Sequence, residues 1–244
     1  MPRPKSDPEE KAGSTRGLNM VRRETLKERI YQEVRNALQA GKFAPGEAIT
    51  VKLLEQELGV GAMPVRESLQ RLVAEGALIA LPTGRVRVPR FTPNEFDEIT
   101  EIRLRLEGLA AQRAARMRDR VELARIIETH GRLNGLLAGD GAWSEIIDAN
   151  YAFHFAVYRA SHAQHLLAMI DSLWLRVSPL LATPFKMPRA TRLNYVAVQE
   201  PLHTNLLVAI RDQNPTLSEA AIREIIISSA AWHNRNYDFA DETE

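Results

Sequence analysis

The sequence contains no cysteine, so the chain can form neither a disulfide bond nor a thiolate metal site. Its apolar runs stay short of the ~18 residues that indicate a membrane-spanning helix. Residues 1–10 also lack the apolar core of a signal peptide. These absences argue against disulfide-stapled and membrane-embedded proteins. They lead us to expect a soluble, cytoplasmic protein that does not contact a membrane.

The net charge of only +1 hides an uneven distribution along the chain. Residues 1–92 carry 16 lysine and arginine residues against 11 aspartate and glutamate residues, whereas residues 93–244 carry 16 against 20. The positively charged front half is therefore the part expected to meet the phosphates of nucleic acid. A length of 244 residues suits one large or two small globular domains, and the motif in the front half, described next, fits two better.

The front half has the pattern of two short helices followed by a β-hairpin. One apolar stripe at helical spacing covers 53–58, and a second covers 65–73 after a turn of a few residues. Two short strands at 78–81 and 86–88 then flank a tip at 82–85 that is rich in turn-forming residues. This order of elements predicts a winged helix-turn-helix domain.

Proline, glycine and capping patterns mark the limits of the domains. Residues 1–19 offer almost nothing to bury and are predicted to be a disordered tail. A capping-box pattern at 25–28 predicts the first helix, and a second one at 92–95 predicts a new helix after the hairpin. We therefore expect a front domain at 20–91 and a rear domain at 92–238.

The rear domain shows only helical stripes, and Gly- and Pro-containing turns separate them. Six or seven helices without a strand predict an all-α bundle. The predicted fold class is thus mainly α, with an N-terminal winged helix-turn-helix and a C-terminal bundle. The predicted rear helices cover about 93–117, 120–138, 142–160, 164–181, 192–212 and 216–236.

Several short motifs resemble a known family in order and spacing. The motifs A-P-G-E at 44–47, L-G-V at 58–60, P-V-R-E-S-L at 64–69 and E-G-A-L at 75–78 resemble the DNA-binding domain of GntR-family bacterial transcription regulators. In the rear, E-I-x-x-I-R-x-x-L-E at 98–107, N-x-x-F-H at 150–154 and E-x-x-H at 200–203 resemble the FCD-type helical domain of the FadR-like branch. The resemblance implies a homodimeric regulator that binds a double-stranded DNA operator. It also implies that a small metabolite, such as an organic acid, bound in the rear domain changes operator affinity.

Three polar residues on the outer face of the second stripe are the leading candidates for DNA contacts. They are Arg66, Gln70 and Arg71, which project away from the apolar side of the predicted helix. The alternative is that the two arginines are solvated or paired with Glu67 and Glu75, as helix-surface arginines often are. The motif context favours DNA contact for Arg66, whereas the two interpretations of Arg71 are balanced.

Four further residues around this helix are candidates for DNA binding. Lys52 lies where the resemblance places an arginine near the DNA backbone, and Pro64 in a first helical turn leaves amide groups available to a phosphate. Gly84 and Arg85 form the wing tip, where an arginine can enter a narrow minor groove, or a plain turn can leave it solvated. The resemblance also implies an arginine within 61–63, but the chain has glycine, alanine and methionine there, so that base contact is absent.

Polar side chains interrupt the apolar stripes of the rear domain. Arg103, Asn150, His154 and His203 each lie on the apolar face of a predicted helix. Buried polar groups need partners, so these residues form either a satisfied internal network or a polar cavity for a ligand. An arginine that faces a cavity suits a carboxylate. Arg176 is a second candidate for this role, with a surface ion pair as its alternative.

The resemblance implies a divalent metal in this part of the rear domain. Its ligand positions correspond to Asn150, His154, His203 and Ile225. Isoleucine cannot coordinate, and one amide with two imidazoles is a poor ligand set, which leaves zinc or nickel as the only candidates. Histidines satisfied by neighbours in the core are the competing interpretation. Three other histidines near helix ends are expected to be solvated: His130, His162 and His165.

Two other functions remain open at this point. One is a helical enzyme that uses Asn150, His154 and His203 for acid–base or metal-assisted chemistry. The sequence disfavours it, because these stripes contain no nucleophile with an adjacent base and no carboxylate pair. The other is a DNA-binding dimer that responds to no small molecule.

Overall fold

A computed structural model describes residues 26–139 and 141–241 of the protein. The predicted disordered tail at 1–19 and the predicted capping residue Thr25 lie outside the described residues. Within them the chain forms ten helices and three short strands. In chain order these are α1 Leu26–Gln39, β1 Ala48–Ile49, α2 Val51–Leu58, α3 Ala62–Ala74, β2 Ile79–Ala80, β3 Val86–Arg87, α4 Pro93–Met117, α5 Arg120–Ala138, α6 Trp143–Arg159, α7 Gln164–Leu181, α8 Thr183–Lys186, α9 Arg189–Arg211 and α10 Pro215–Asn236.

Local signals set the ends of the helices in the front domain. The Thr50 side chain begins α2 by accepting a hydrogen bond from the Leu53 backbone N–H at 3.1 Å. Gly59 ends α2 with a φ of +64°, a left-handed conformation that glycine adopts without steric cost. The apolar faces of α1, α2, α3 and the sheet then share one core, as the winged helix-turn-helix prediction requires. Members of this core include Ile30, Val34, Leu54, Val65, Leu72 and Val86.

The wing is a three-stranded antiparallel sheet in which β3 lies between β1 and β2. Arg87 of β3 is paired with Ala48 of β1 on one side and with Ile79 of β2 on the other. The predicted hairpin of β2 and β3 is confirmed, but the sequence pattern did not predict β1. A strand of two residues is too short to show the alternation by which strands are recognised.

Helices α4 to α10 form the rear domain, in agreement with the predicted bundle of six or seven helices. Helix α4 begins with the predicted capping box: Thr92 Oγ1 accepts from the Glu95 N–H at 3.2 Å, and Glu95 Oε2 accepts from the Thr92 N–H at 2.9 Å. Helix α10 packs along α4 and α9, and α5 packs on α6. The short helix α8 was not predicted. Helix α9 begins earlier than 192, directly after Pro188, which is its N-cap and has an extended backbone with a ψ of 147°.

One part of the chain corrects the expectation that no apolar run reaches membrane-spanning length. By length and composition alone, Gln164–Lys186 could cross a membrane. Half of its most apolar window is buried inside the protein, and Ile170 and Trp174 belong to the core of the rear domain. Core helices of soluble proteins have the same composition, and burial on several sides accounts for the apolar character of this one.

The two domains are joined by more than the covalent connection, because α7 also packs against α1. Leu175 of α7 is only 2% exposed and lies in the core of the front domain. Beside it, Arg35 of α1 forms an ion pair with Asp171 of α7, and the Gln39 amide donates a hydrogen bond to the Tyr151 hydroxyl at 3.3 Å. Since packed interiors transmit displacement, a movement of α7 must displace side chains in the core of the front domain.

Candidate nucleic-acid interface and interior ligand site

A groove between α3 and the wing, called here the α3–wing groove, brings together four of the predicted DNA-binding residues. Arg66 and Gln70 enter it from α3, and Gly84 and Arg85 enter it from the wing tip. All four are exposed. Within 26–139 and 141–241, Arg66 has no ion-pair or hydrogen-bond partner, so its guanidinium group is available to an outside anion. Apolar residues form the floor: Val51, Leu69, Val73, Leu81 and Val86.

The wing tip holds Arg85 outward in a tight turn. The Gly84 N–H donates to the Leu81 carbonyl at 3.0 Å, and the Leu81 N–H donates to the Arg85 carbonyl at 2.9 Å. Gly84 has a φ of +77°, so a larger residue would be strained there. Arg87 of β3 differs from Arg85, because it is half-buried, its Nε atom is buried, and it does not line the groove.

Lys52 and Pro64 lie outside the α3–wing groove but next to the recognition helix. Lys52 is exposed on the first turn of α2. Pro64 is half-buried in the first turn of α3, and its carbonyl accepts a hydrogen bond from Ser68 Oγ at 2.9 Å. No side chain caps this end of α3, where Gly61 is the N-cap. The first amide groups of α3 are therefore not satisfied by a cap, as an anion contact requires.

Arg71 differs from Arg66 because acidic partners hold it. Its Nη1 lies 2.9 Å from Glu28 Oε2 and its Nε lies 3.1 Å from Glu75 Oε1. The guanidinium group also stacks over the Tyr31 ring, 3.5 Å from the ring centre. Pairing with Glu75, the alternative weighed from the sequence, is therefore present. A DNA contact by Arg71 stays a prediction, and it would have to compete with these contacts.

A second site lies inside the rear domain and is called here the interior site. It is a cavity of only about 30 Å³, close to the volume of one water molecule. Four of the five predicted ligand residues line it: Arg103, Asn150, His154 and His203. The other lining residues are mostly aromatic or aliphatic, and they include Trp174, Leu181, Phe185, Tyr195, Gln199, Ile225, Ile226 and Ser229.

The charge of Arg103 is neutralised by Glu107, one turn further along α4. Both residues are buried, with exposed fractions of 5% and 1%, and Arg103 Nε lies 2.6 Å from Glu107 Oε1. The Tyr158 hydroxyl donates to the other carboxylate oxygen. Burial alone lowers the pKa of Arg103, but the charge and hydrogen bond of Glu107 outweigh it and raise that pKa. The satisfied internal network, one of the two alternatives left open by the sequence, is therefore present at Arg103, and a contact between Arg103 and a ligand carboxylate stays a prediction.

The two predicted histidines extend this network into a continuous chain of hydrogen bonds. His154 Nδ1 lies 3.1 Å from the Tyr158 hydroxyl, and its Nε2 lies 3.1 Å from His203 Nε2. His203 Nδ1 lies 2.7 Å from the Gln199 carbonyl oxygen, which can only accept a hydrogen bond. The series of hydrogen bonds therefore runs from Gln199 through both imidazoles and the phenol to Glu107.

This series of hydrogen bonds has one hydrogen atom fewer than its contacts require. Its four contacts each need one hydrogen, whereas two neutral imidazoles and one phenol supply three. Burial lowers the pKa of His154 well below its usual range and that of His203 to about 4, so both rings are neutral at pH 7. Because Gln199 and Glu107 only accept, the single hydrogen of His154 can serve its contact with Tyr158 or its contact with His203, and the other contact lacks a hydrogen.

The interior site does not fit a divalent metal. The Nε2 atoms of His154 and His203 lie 3.1 Å apart and could both face an ion, but Asn150 adds only a neutral amide to these two imidazoles. Ile225, at the expected last ligand position, is a buried hydrocarbon side chain on the cavity wall. Among the residues that the structure describes, no group of three or more His, Cys, Asp or Glu side chains could hold a metal ion. Zinc and nickel therefore have no adequate ligand set here.

Two predictions about rear-domain residues are corrected by their positions. Arg176 does not line the interior site: it packs beside the front domain, where a Cβ atom at Gly76 would lie 3.4 Å from its Nε. His130 is not solvated but 7% exposed, and its Nε2 lies 3.2 Å from Thr204 Oγ1. Both errors arise because helical periodicity gives the face of a residue but not the element that covers that face.

Three residues that were not predicted from the sequence belong to the network around the interior site: Trp174 lines it, and Glu107 and Tyr158 contact residues that line it. Glu107 and Tyr158 lie four residues after Arg103 and His154 respectively, and this i, i+4 spacing was a usable signal. Trp174 gave no such signal. Its indole ring is 4% exposed and lies beneath the Arg103 guanidinium group, 5.4 Å from ring centre to Cζ. The indole N–H makes no hydrogen bond of normal geometry among the described residues, although it lies close enough to the Tyr158 hydroxyl to interact with it.

An exposed basic groove on a winged helix-turn-helix, joined to a helical domain with a polar interior site, defines the class of ligand-responsive DNA-binding regulators. Residues 26–88 match the family described as bacterial regulatory proteins, gntR family, and residues 98–228 match the FCD domain. The chain belongs to the GntR family and is a transcriptional regulator with an FCD domain, as the motifs implied. The enzyme hypothesis is therefore wrong.

Known relatives agree with this assignment along most of the chain. The HTH-type transcriptional regulator McbR of Escherichia coli (strain K12) is 31% identical over 163 residues, which cover 67% of this chain and 73% of McbR. The solved structure of E. coli McbR/YncC superposes with a TM-score of 0.79 at 27% identity, covering 88% of this chain and 99% of that one. A regulator from Rhodococcus sp. RHA1 shares the fold, with a TM-score of 0.70 at 19% identity over 87% of this chain and 99% of that one.

Proposed function

We propose that this regulator binds a double-stranded DNA operator through the α3–wing groove, and that a small molecule in the interior site changes its affinity for that operator. The single observation that supports DNA binding most strongly is the unpaired Arg66 beside Arg85 in one exposed groove. The proposal places α3 in the major groove, with its first-turn amides and Lys52 near the phosphates. Gly84 and Arg85 would then approach the adjacent minor groove.

We further propose that the protein acts as a homodimer in the cytoplasm. Two copies would present two recognition helices to a pseudo-palindromic operator, with half-sites about one helical turn apart. The closed symmetry of most homo-oligomers supports this arrangement. Each copy would consist of the front domain at 20–91 and the rear domain at 92–238.

Helix α7 is the proposed connection between the two sites. Trp174 lines the interior site, and the next residue, Leu175, is buried in the core of the front domain. A ligand that moves the indole ring must therefore shift the side chain that supports α1 and α3. A coupling free energy of about 1–3 kcal/mol is typical of such systems.

Replacing Arg66 by alanine is expected to weaken operator binding by about 1–3 kcal/mol, the usual value of one good base contact. The fold should be unaffected, because Arg66 is exposed and has no partner among the described residues. Fluorescence anisotropy with a labelled operator would measure the affinity. Arg125→Ala is the matched control, since Arg125 is an exposed arginine on α5, away from the groove. Equal affinities for Arg66→Ala and wild type would remove Arg66 from the interface.

Replacing Arg85 by alanine tests the wing separately, through the salt dependence of binding. If the Arg85 guanidinium group displaces a counterion from the DNA, its removal should reduce the slope of log K against log salt by about 0.9. Titrations at several salt concentrations would measure this slope, again with Arg125→Ala as the control. A slope identical to that of wild type would show that the wing tip stays in solvent.

The effector predicted from the sequence is a carboxylate. Such a ligand would have to displace Glu107 from Arg103, so the pair counts against it. The small volume of the interior site also favours a second candidate function, a DNA-binding dimer without an effector. A screen for ligand-induced shifts in melting temperature distinguishes the two, because only an effector-binding protein gains stability from a ligand.

A further inference from the structure

We propose that the interior site selects an uncharged group with both a hydrogen-bond donor and an acceptor, such as a primary amide or a hydroxyl, and that Glu107 sets this selectivity. The inference rests on the proposed function, because it names the chemical class that the interior site would take. It departs from the carboxylate that a single buried arginine suggests.

The interior site carries no net charge. Arg103 is the only lining residue with a full charge at pH 7, and its partner Glu107 cancels that charge. An anion entering the interior site would lose its hydration without meeting a net positive charge. If it displaced Glu107 from Arg103, a second carboxylate would be left buried without its ion-pair partner. An uncharged ligand meets neither cost.

Hydrogen bonding at the interior site is incomplete at Trp174 and at His154. Among the described residues the buried N–H of Trp174 makes no hydrogen bond of normal geometry, although it lies close enough to the Tyr158 hydroxyl to interact with it, and His154 lacks a hydrogen for one of its two contacts. A ligand therefore gains most if it offers an acceptor to Trp174 and a donor to the imidazole pair. A carboxylate offers acceptors only, whereas an amide or a hydroxyl offers both. The Trp174 N–H and the imidazole pair therefore both favour a ligand with an amide or a hydroxyl group.

The volume of the interior site limits the size of a ligand. A volume of about 30 Å³ accepts a polar head group, but the remainder of a larger ligand must displace part of the wall. The apolar wall residues at this end are Leu181, the last residue of α7, and Phe185 in the four-residue helix α8. A short helix is held by few hydrogen bonds of its own, so Phe185 is the side chain that can yield at least cost.

The test compares matched uncharged and charged probes: acetamide with acetate, propionamide with propionate, and benzamide with benzoate. Isothermal titration and the melting temperature of the full-length protein would be measured with each probe at pH 7.5. For wild type we expect at least one amide to raise the melting temperature and to bind about tenfold or more tightly than its carboxylate partner. For Glu107→Gln, which leaves Arg103 unpaired, we expect the preference to reverse.

The control is Glu101→Gln, which removes an exposed carboxylate from the same helix and should leave the preference for amides unchanged. If Glu107→Gln does not fold, the comparison of probes on wild type still decides the matter. A wild-type protein that binds a carboxylate as tightly as its amide, or that binds no probe because the interior site holds water only, would overturn the proposal. DNA affinity without any probe is measured in parallel. Normal operator binding together with failed selectivity would leave the DNA-binding function intact.

Discussion

Replacing Arg103 by methionine is expected to lower the free energy of unfolding by about 3–5 kcal/mol, the cost of leaving one member of a buried ion pair alone. Glu107 would keep its hydrogen bond from Tyr158 but would lose the guanidinium group that balances its charge. Methionine fills similar space, so lost packing contributes little to this value. Urea denaturation followed by circular dichroism would measure the change.

The matched control is Arg105→Met on the same helix, where an exposed arginine pairs with Glu101. We expect a change of less than about 1 kcal/mol there, because water screens exposed pairs. The double variant Arg103→Met/Glu107→Leu should recover most of the lost stability, because it removes both buried charges together. Equal losses in Arg103→Met and Arg105→Met would refute a buried, energetically coupled pair.

This instability limits how Arg103 variants can be used to study the ligand response. A variant without Arg103 would change both the interior site and the stability of the rear domain. Loss of a response in such a protein would therefore not identify Arg103 as a ligand contact. Glu107→Gln preserves the shape of the side chain but leaves Arg103 buried without its ion-pair partner, so its stability must be measured together with its ligand response.

The architecture was predictable because its signals are local in the sequence. Apolar stripes gave the helices, while Thr92 with Glu95 and Gly59 gave helix ends that the structure reproduces. β1 escaped prediction because two residues show no periodicity, and its strand character depends on pairing with β3. The four-residue helix α8 was not predicted either, because a single turn is too short to show helical periodicity.

The interior site was predictable in membership but not in chemistry. Arg103, His154 and His203 stood out because each interrupts an apolar stripe, and all three line one cavity. The sequence could not tell that Arg103 is already neutralised, because partner choice depends on how helices pack. Arg176 was assigned to the wrong site for the same reason: its face of α7 is covered by the front domain.

Lowering the pH from about 7 to 4 is expected to unfold the protein, mainly through the three most deeply buried of its four buried histidines. Burial lowers the pKa values of His203 and His233 to about 4, and it lowers that of His154 well below its usual range. A histidine in the unfolded chain has a pKa near 6.5. Below that pH the unfolded state therefore binds protons that the folded state does not bind. Stability is thus constant above about pH 7 and falls as the pH approaches the folded pKa values.

The size of this effect follows from the shifts. Each histidine lowers the free energy of unfolding by about 1.4 kcal/mol per pH unit within its window, or about 3 kcal/mol for a folded pKa near 4. Two such residues remove about 6 kcal/mol, comparable with the whole stability of many domains. Urea titrations at a series of pH values would measure the slope between pH 6.5 and 4.5.

Single variants assign this slope to particular rings. His203→Gln should reduce it by about 1.4 kcal/mol per pH unit, because one group that gains a proton on unfolding has been removed. His165→Gln should not change it, since His165 is exposed on the first turn of α7. His233 is the most demanding case, because its two ring nitrogens lie 2.8 and 3.1 Å from the carbonyl oxygens of Ser229 and Leu180. A neutral ring can donate to only one of them, so a slope unaffected by His233→Gln would mean that this ring stays protonated in the folded protein.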